Sequence, residues 1–427
     1  MTATATQTMK FIVNNKVFQQ SIKPAIEVAT KGVTKGINTD HLISLEAKQG
    51  DLLAKAFGGK LAIDLTVSCF NSSDLNYKCE DEGLVTINAI DLLSSLSAFP
   101  PDEDLAISCN GKEVTIAKEI DKDEFQSLPL TTVDVILPEI STKTEKEVVI
   151  DRLTLLKGYE RVAWALGFED HMEQYFYWQM LVAKKSVRFV AGTGGRFSVY
   201  DVKGDTIVSK CDNKTEFLIH RDQSYPIALI LKSVERPNVG SDDVTIRYSN
   251  RDGNAPEQIV FEVEGFKLIV VGFDSGISYP NVDKFLNANK DYKIRTKVSD
   301  WEYPTKGLLA TWSEEAKKQF DSHESEFEPF LTDNHIIMTT STGMRAKRKV
   351  AIEDVVVKGP QASGLKFYCN TEYLAEIYQK NRKEDVLEIE YFDDKFKPLI
   401  IKSQESDNGN GVTDQLTILL APLKKGN

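Results

Sequence analysis

The residues best able to hold a metal or attack an electrophile are Cys69, Cys79, Cys109, Cys211 and Cys369, with His41, His171, His220, His323 and His335. Their spacing suits neither chemistry. No two cysteines form a CxxC pair, their odd number gives no disulfide framework, and no histidines stand as HxH or HxxxH. Isolated thiols in a reducing compartment and scattered structural histidines are the simpler reading, so no metal and no cofactor is expected. Gly192-Thr-Gly-Gly195 has a phosphate-cradling composition, but it lacks the GxxxxGK[ST] and GxGxxG forms and lies between strand-like runs. A tight hairpin with glycines at positive φ is expected there. The paired carboxylates Asp102-Glu-Asp104 and Asp393-Asp394 fall in turns and read as solvated acids rather than a metal-assisted nuclease site. Arg345-Ala-Lys-Arg-Lys349 is a basic cluster with two open readings, an exposed strand edge or loop, or a patch that faces phosphates. The chain is not expected to be an enzyme.

Composition bounds what such a chain can do. With 427 residues, 41% hydrophobic and 27% charged, it is neither collagen-like nor wholly disordered, and its length suits two to four domains. Lys and Arg number 52 against 64 Asp and Glu, a formal net charge of -12. Any contact with nucleic acid must therefore use a local basic surface on an acidic background. Residues 1–8 are polar, without the basic and apolar segments of a secretory signal, and read as a disordered tail. No run approaches the ~18 apolar residues of a membrane span. A cytoplasmic protein is expected.

The elements that position these residues repeat along the chain. Three amphipathic helices open three larger units. They lie in Asn15–Thr30, with Phe18, Ile22, Ala25 and Ala29 on one stripe; in Asp151–Gly167, with Leu156, Tyr159, Ala163 and Leu166; and in Thr305–Phe320, with Leu309, Trp312, Ala316 and Phe320. A second helix follows in each unit: Asn88–Phe99 with Asn88 as N-cap, Gln223–Glu235, and Thr371–Lys380 with Asn370 or Thr371 as cap. Alternating strands fill the intervals, as in Leu61–Val67, Val187–Val199 and His335–Arg345. Each unit thus reads helix, strands, helix, strands, which predicts an α+β chain of three tandem similar domains over 1–142, 143–296 and 297–427.

The helices also carry cations away from their apolar stripes: Lys16 and Lys23, Lys157 and Arg161, Lys232 and Arg236, Lys306 and Lys317, Lys380 and Arg382. One such helix means only a solvated face. Recurrence in corresponding helices of an acidic chain points to a surface that faces phosphates.

Several stretches resemble one family in order. Met9-Lys-Phe-Ile-Val and Ser21-Ile-Lys-Pro-Ala-Ile-Glu-Val-Ala29 resemble the opening strand and "LLKPL" helix of bacterial DNA sliding clamps, the DNA polymerase III beta subunits. Ile63-Asp-Leu-Thr-Val67 resembles their "TDLE" strand, and Val190–Val199 is similar to "VATDGHRLAV". Ser278–Lys284 is similar to "FPDYRRV", and Leu420-Ala-Pro-Leu-Lys424 resembles "VMPMR". The resemblance spans nearly the whole chain and suggests a divergent member, such as a phage or plasmid encodes.

The resemblance implies a head-to-tail homodimeric ring that encircles double-stranded DNA without reading sequence, and partners that include a DNA polymerase and a clamp loader. It also implies a hydrophobic pocket for short peptide motifs between the second and third domains. Carried over to this sequence, the pocket comprises Tyr177, Gly194, Arg196, Phe197, Pro398, Ala421, Pro422, Leu423 and Lys424. Two departures stand out. The family's "TDGH" is Gly192-Thr-Gly-Gly195 here, without the histidine, and the terminal "MPMR" is Ala-Pro-Leu-Lys. A second reading is a clamp-fold scaffold or competitor that binds clamp partners without encircling DNA.

Overall fold

The computed structural model describes residues 8–31, 41–58, 61–67, 72–121, 124–133, 135, 137, 144, 146–167, 172–211, 214–233, 243–249, 258–263, 265–271, 277–319, 322–331, 333–357, 365–407 and 411–423. It forms two compact units. The first comprises residues 1–156, 209–212 and 219–275; the second comprises 157–208, 213–218 and 276–427.

One strand pattern occurs three times. In the first unit a five-stranded antiparallel sheet runs Lys78–Asp81, Thr8–Asn14, Asp104–Asn110, Glu113–Asp121, Glu124–Thr131. The same order recurs as Val208–Lys210, Lys146–Asp151, Asp243–Ser249, Gln258–Val263, Phe266–Val271. There the last strand does not end the sheet. It pairs antiparallel with Leu61–Thr66, setting Leu268 opposite Ile63, and a four-strand set follows through Asp51–Phe57, Leu42–Lys48 and Gly83–Asn88. The second unit repeats both sets. Five strands, Asp354–Val357, Tyr292–Lys297, Val386–Tyr391, Leu399–Ser403 and Thr413–Leu420, end against Arg196–Lys203. Four strands then continue through Ser186–Gly192, Tyr177–Ala183 and Thr215–His220. A last four-strand set, Lys347–Ala351, His335–Thr340, Glu324–Phe330 and Phe367–Asn370, forms its own sheet. Thr8, read above as part of a tail, opens the first strand opposite Asn110.

The helices form where period and caps agree. Asn15–Lys31 buries Phe18, Ile22, Ala25 and Ala29 completely. Ala89–Ser97 begins at Asn88, whose side-chain oxygen accepts from the Ile90 and Asp91 amides at 2.9 and 3.2 Å. Asn370 caps Thr371–Lys380 in the same way, accepting from Glu372 at 2.8 Å. In Arg221–Ser233 the corresponding residue is His220, whose Nδ1 accepts from the Asp222 amide at 3.3 Å.

Two expectations shift. The helix read over Thr305–Phe320 is two helices, Glu302–Leu309 and Glu314–Gln319. The Thr311 hydroxyl turns back to the Leu308 carbonyl at 2.6 Å, and Ser313 caps the second helix by accepting from the Ala316 amide at 3.3 Å. Phe320 lies outside the described residues. In Arg152–Val162 the buried side is one residue out of the expected register, with Leu155, Gly158 and Val162 buried in place of Leu156, Tyr159 and Ala163, whereas Leu166 beyond it is buried as expected. Gly158 faces the Phe189 ring, where a Cβ would stand 2.2 Å from it, so this stretch approaches the strand more closely than any side chain permits.

In two of the three pairs, the start of one helix is tied to the end of the other. Asn15 is fully buried, and its amide donates to the Leu96, Phe99 and Pro100 carbonyls at 3.1, 3.2 and 3.0 Å. Arg152 does the corresponding work, donating to the Leu231 carbonyl at 2.5 Å. The first residue of one helix thus adds donors to carbonyls at and just past the end of its partner, where intrahelical bonds run out; the Leu96 carbonyl also takes the Phe99 amide at 3.2 Å. Asn15→Ala removes these buried donors, and chemical unfolding should show a loss of about 1–3 kcal/mol.

Candidate functional site

Three chain segments meet at one end of the ten-stranded sheet of the second unit. Arg196 and Leu399 both stand opposite Leu420 in register. Immediately past that row lie the Thr193–Gly195 turn, Pro398 and the Ala421–Leu423 segment. The Ala421 amide donates to the Gly195 carbonyl at 3.0 Å, and the Leu423 amide donates to the Tyr368 carbonyl at 2.7 Å. Sequence positions almost 230 apart are thereby joined by main-chain bonds that do not depend on side-chain identity.

The turn owes its glycines to crowding. None of Gly192, Gly194 and Gly195 has positive φ, contrary to the hairpin expected above. A Cβ on Gly192 would lie 2.2 Å from the Phe197 ring, and one on Gly195 would lie 2.9 Å from the Tyr373 ring. Both positions are empty because aromatic rings fill them. The Thr193 amide closes the turn on the Arg196 carbonyl at 2.7 Å.

Phe197 is half-buried, and Tyr175 meets it edge-on with ring centroids 6.0 Å apart. Tyr175 is also the nearest group to Gly194, 3.9 Å from where its Cβ would be. Tyr177, named from the sequence, is 4% exposed and opens a core strand; the aromatic beside the turn is Tyr175, two residues earlier. Pro398 is buried, whereas Ala421, Pro422 and Leu423 are each half-buried. Lys424 lies outside the described residues.

Arg196 is held through two of its nitrogens, while its Nε is buried without a partner. One guanidinium nitrogen bonds the Glu376 carboxylate and another donates to the Trp164 carbonyl at 2.9 Å. The group lies 5.2 Å from the Trp164 ring centroid and 4.3 Å from that of Tyr373. Burial outweighs the Arg196 charge and pushes the Glu376 carboxyl up to about 7. Trp164, Tyr373 and Glu376 escaped the sequence reading. The available sign was Glu372 and Glu376, acids one turn apart on a helix whose neighbours were read for their apolar stripe.

The cations named from the sequence divide. Lys157, Arg161 and Lys380 gather around Trp164 and Tyr200 in the second unit. Arg161 donates to the Lys380 carbonyl at 2.6 Å, the Lys380 ammonium lies 5.5 Å over the Trp164 ring, and Lys157 lies 5.7 Å over Tyr200 while paired with Asp414 at 2.5 Å. Arg382 is exposed and acts on the same Tyr200. Elsewhere, Lys306 pairs with Glu302 at 2.7 Å and Lys317 pairs with Glu314 at 2.7 Å. Lys16, Lys23 and Lys232 are exposed on first-unit helices, and Arg236 lies outside the described residues. Arg345, Lys347, Arg348 and Lys349 are exposed, the last three on the strand that ends the four-stranded sheet.

Among the described residues no three His, Cys, Asp or Glu side chains gather as metal ligands. Cys79, Cys109, Cys211 and Cys369 are free thiols, and burial pushes Cys369 up to about 12. Glu103 takes the Lys118 ammonium, and Asp104 accepts from Asn76 at 2.5 Å.

Solved structures share this architecture. The DNA polymerase III beta subunit of Thermotoga maritima matches with a TM-score of 0.75 and 15% identity over 98% of this chain and 100% of that one. The sliding clamp of Bacillus subtilis gives 0.74 at 12% identity, and that of Pseudomonas aeruginosa, solved bound to griselimycin, gives 0.74 at 13%, both with the same coverage. The chain has the sliding-clamp fold. No protein-family model and no curated protein sequence matches it. Within this clamp fold, the turn at 192–195 discriminates between its glycines. Gly192→Ala drives a methyl into Phe197 and should cost about 1–3 kcal/mol. Gly194→Ala meets only Tyr175 at contact distance and should cost less than about 0.5 kcal/mol. Urea denaturation of the two variants checks the contrast.

Proposed function

We propose that this protein is a DNA sliding clamp, a non-enzymatic cytoplasmic processivity factor of three domains, 1–142, 143–296 and 297–427. The observation that carries the reading is the way its sheets end. Twice, the last strand of a five-strand set pairs with the first of a four-strand set. One five-strand set, ending in Glu124–Thr131, and one four-strand set, ending in Lys347–Ala351, have no such continuation among the described residues. A second copy arranged head to tail supplies both, and two copies then close a ring with no bare edge. Double-stranded DNA passes through such a ring. The cations around Trp164, with Lys16, Lys23 and Lys232, attract phosphates without reading bases, so that topology rather than affinity retains the ring.

Partners bind at the sheet end that carries Phe197, Pro398, Pro422 and Leu423. A polymerase, a clamp loader or another protein inserts one or two apolar side chains of a short linear motif there, each worth about 1.5–3 kcal/mol when fully buried. A scaffold or competitor that does not encircle DNA is the second reading. The pairing of Lys157, Lys306 and Lys317 with acids favours it, because each pair subtracts from the charge offered to phosphates.

Sedimentation at micromolar concentration should give about twice 47.9 kDa. Loaded on a nicked circle, the protein should remain until the circle is cut. A monomer, or a protein still bound after linearisation, rejects the ring.

Phe197→Ala combined with Leu423→Ala should abolish binding of a Gln-Leu-Ser-Leu-Phe peptide and leave the dimer and its melting temperature nearly unchanged. Unfolding or loss of the dimer in this variant would show that the two side chains are core rather than a docking surface.

A further inference from the structure

The Arg196 guanidinium and the Glu376 carboxylate meet in a nearly closed site, with the two side chains 13% and 17% exposed. Trp164 and Tyr373 present their rings to the guanidinium, and the Trp164 carbonyl accepts from it. The helix that carries Glu376 also carries Tyr373, whose ring would stand 2.9 Å from a Cβ at position 195. Gly195 in turn holds Ala421 by a main-chain bond of 3.0 Å. A chain of contacts therefore runs from Glu376 through Arg196 and Gly195 to the segment ending in Leu423.

We propose that Glu376 is a positioning residue for the peptide pocket: its ionised carboxylate holds Arg196, and this latch fixes the Thr193–Gly195 turn and the Ala421–Leu423 segment in the shape that accepts a partner's apolar side chain. The inference rests on the pocket reading above. Arg196 acts as an internal strut in this arrangement, and the partner is recognised by apolar contacts rather than by a cation.

Three charged groups act on Glu376. Arg196 comes from the facing strand, and Lys380 and Glu372 come from its own helix. The first two favour the carboxylate, whereas Glu372 and burial oppose it. With its value at about 7, Glu376 changes charge between pH 6 and pH 8, and protonation removes the charge-assisted bond to Arg196. Stability and binding then respond in opposite directions. The folded-state value lies above the ordinary 4.5, so this group's contribution to stability is complete below that value and is lost as pH rises through about 7. Pocket affinity rises over the same interval, because the ionised form makes the latch.

The test measures binding of the blocked peptide acetyl-Gln-Leu-Ser-Leu-Phe-amide, which has no titrating group, to the full-length protein between pH 6 and pH 8. The wild type should bind about fivefold more weakly at pH 6 than at pH 8. Glu376→Gln should bind at every pH as the wild type does at pH 6, and Glu376→Asp should restore part of the pH dependence. Thermal melts confirm that each variant is folded. If Glu376→Gln is folded and binds like the wild type at pH 8, or keeps the wild-type pH dependence, Glu376 is structural only and the proposal is overturned. If the wild type binds no peptide at any pH, the pocket reading falls and takes this inference with it. If Glu376→Gln fails to fold, a flat wild-type profile still overturns the proposal, and a profile restored in part by Glu376→Asp supports it.

Discussion

A β-sheet has to end somewhere, and a bare edge exposes a row of unpaired amides and carbonyls. This constraint organises the chain. Two of the three five-strand sets finish on a strand buried on both faces: Leu268, Ile269 and Val270 in one case, and Leu416, Ile418, Leu419 and Leu420 in the other. Such strands are tolerated only when paired on both sides, and the four-strand set that follows provides the second side. The two strands that finish without a continuation differ in kind. Lys347–Ala351 exposes every residue except Val350, three of them cations. A charged edge stays soluble when free and can still pair with a matching strand, as the proposed ring requires.

The same constraint places the proposed site. Where two sets join, connections from both sides emerge at one sheet end, and the Thr193–Gly195 turn, Pro398 and Ala421 are such neighbours. Main-chain pairing across Arg196–Lys203 and Thr413–Leu420 fixes their spacing at backbone precision. Side chains need only supply shape. The distance between sequence positions is then immaterial, and a docking surface can be assembled from three remote segments without a local motif.

This explains which features were legible in the sequence. Where a helix is stabilised by its own stripe and cap, as in Asn15–Lys31 or Ala89–Ser97, periodicity and a capping Asn disclosed it to within a residue or two. Where tertiary contacts compete, it failed. Thr311 prefers the Leu308 carbonyl and the buried His323 ring, at 2.6 and 3.1 Å, over continuing a helix, and no local rule weighs that partner twelve residues on. Phe197 and Leu423 could be proposed because the order of motifs resembled a family. The engagement of Arg196 could not, since Glu376 is 180 residues away and the charge of an acid does not announce which cation it meets.

The charge distribution follows the same division between what is local and what is assembled. Helix faces rich in Lys look alike in sequence, yet their fates differ by neighbour. Lys306 is held by Glu302 on its own helix, which is also claimed by Lys383, so two cations share one acid and the cluster keeps a net positive charge. Lys157 meets Asp414, an acid only 9% exposed in its side chain that also accepts from Ser406 at 2.6 Å. That carboxylate requires a cation because it is buried, so Lys157 serves the fold first. A surface that attracts phosphates without sequence preference needs only the residue that such pairs leave over. With an overall charge of -12, the balance between cations consumed by the fold and cations left at the surface would decide how strongly the proposed ring draws in DNA, and a ring held by topology can operate with that balance set low.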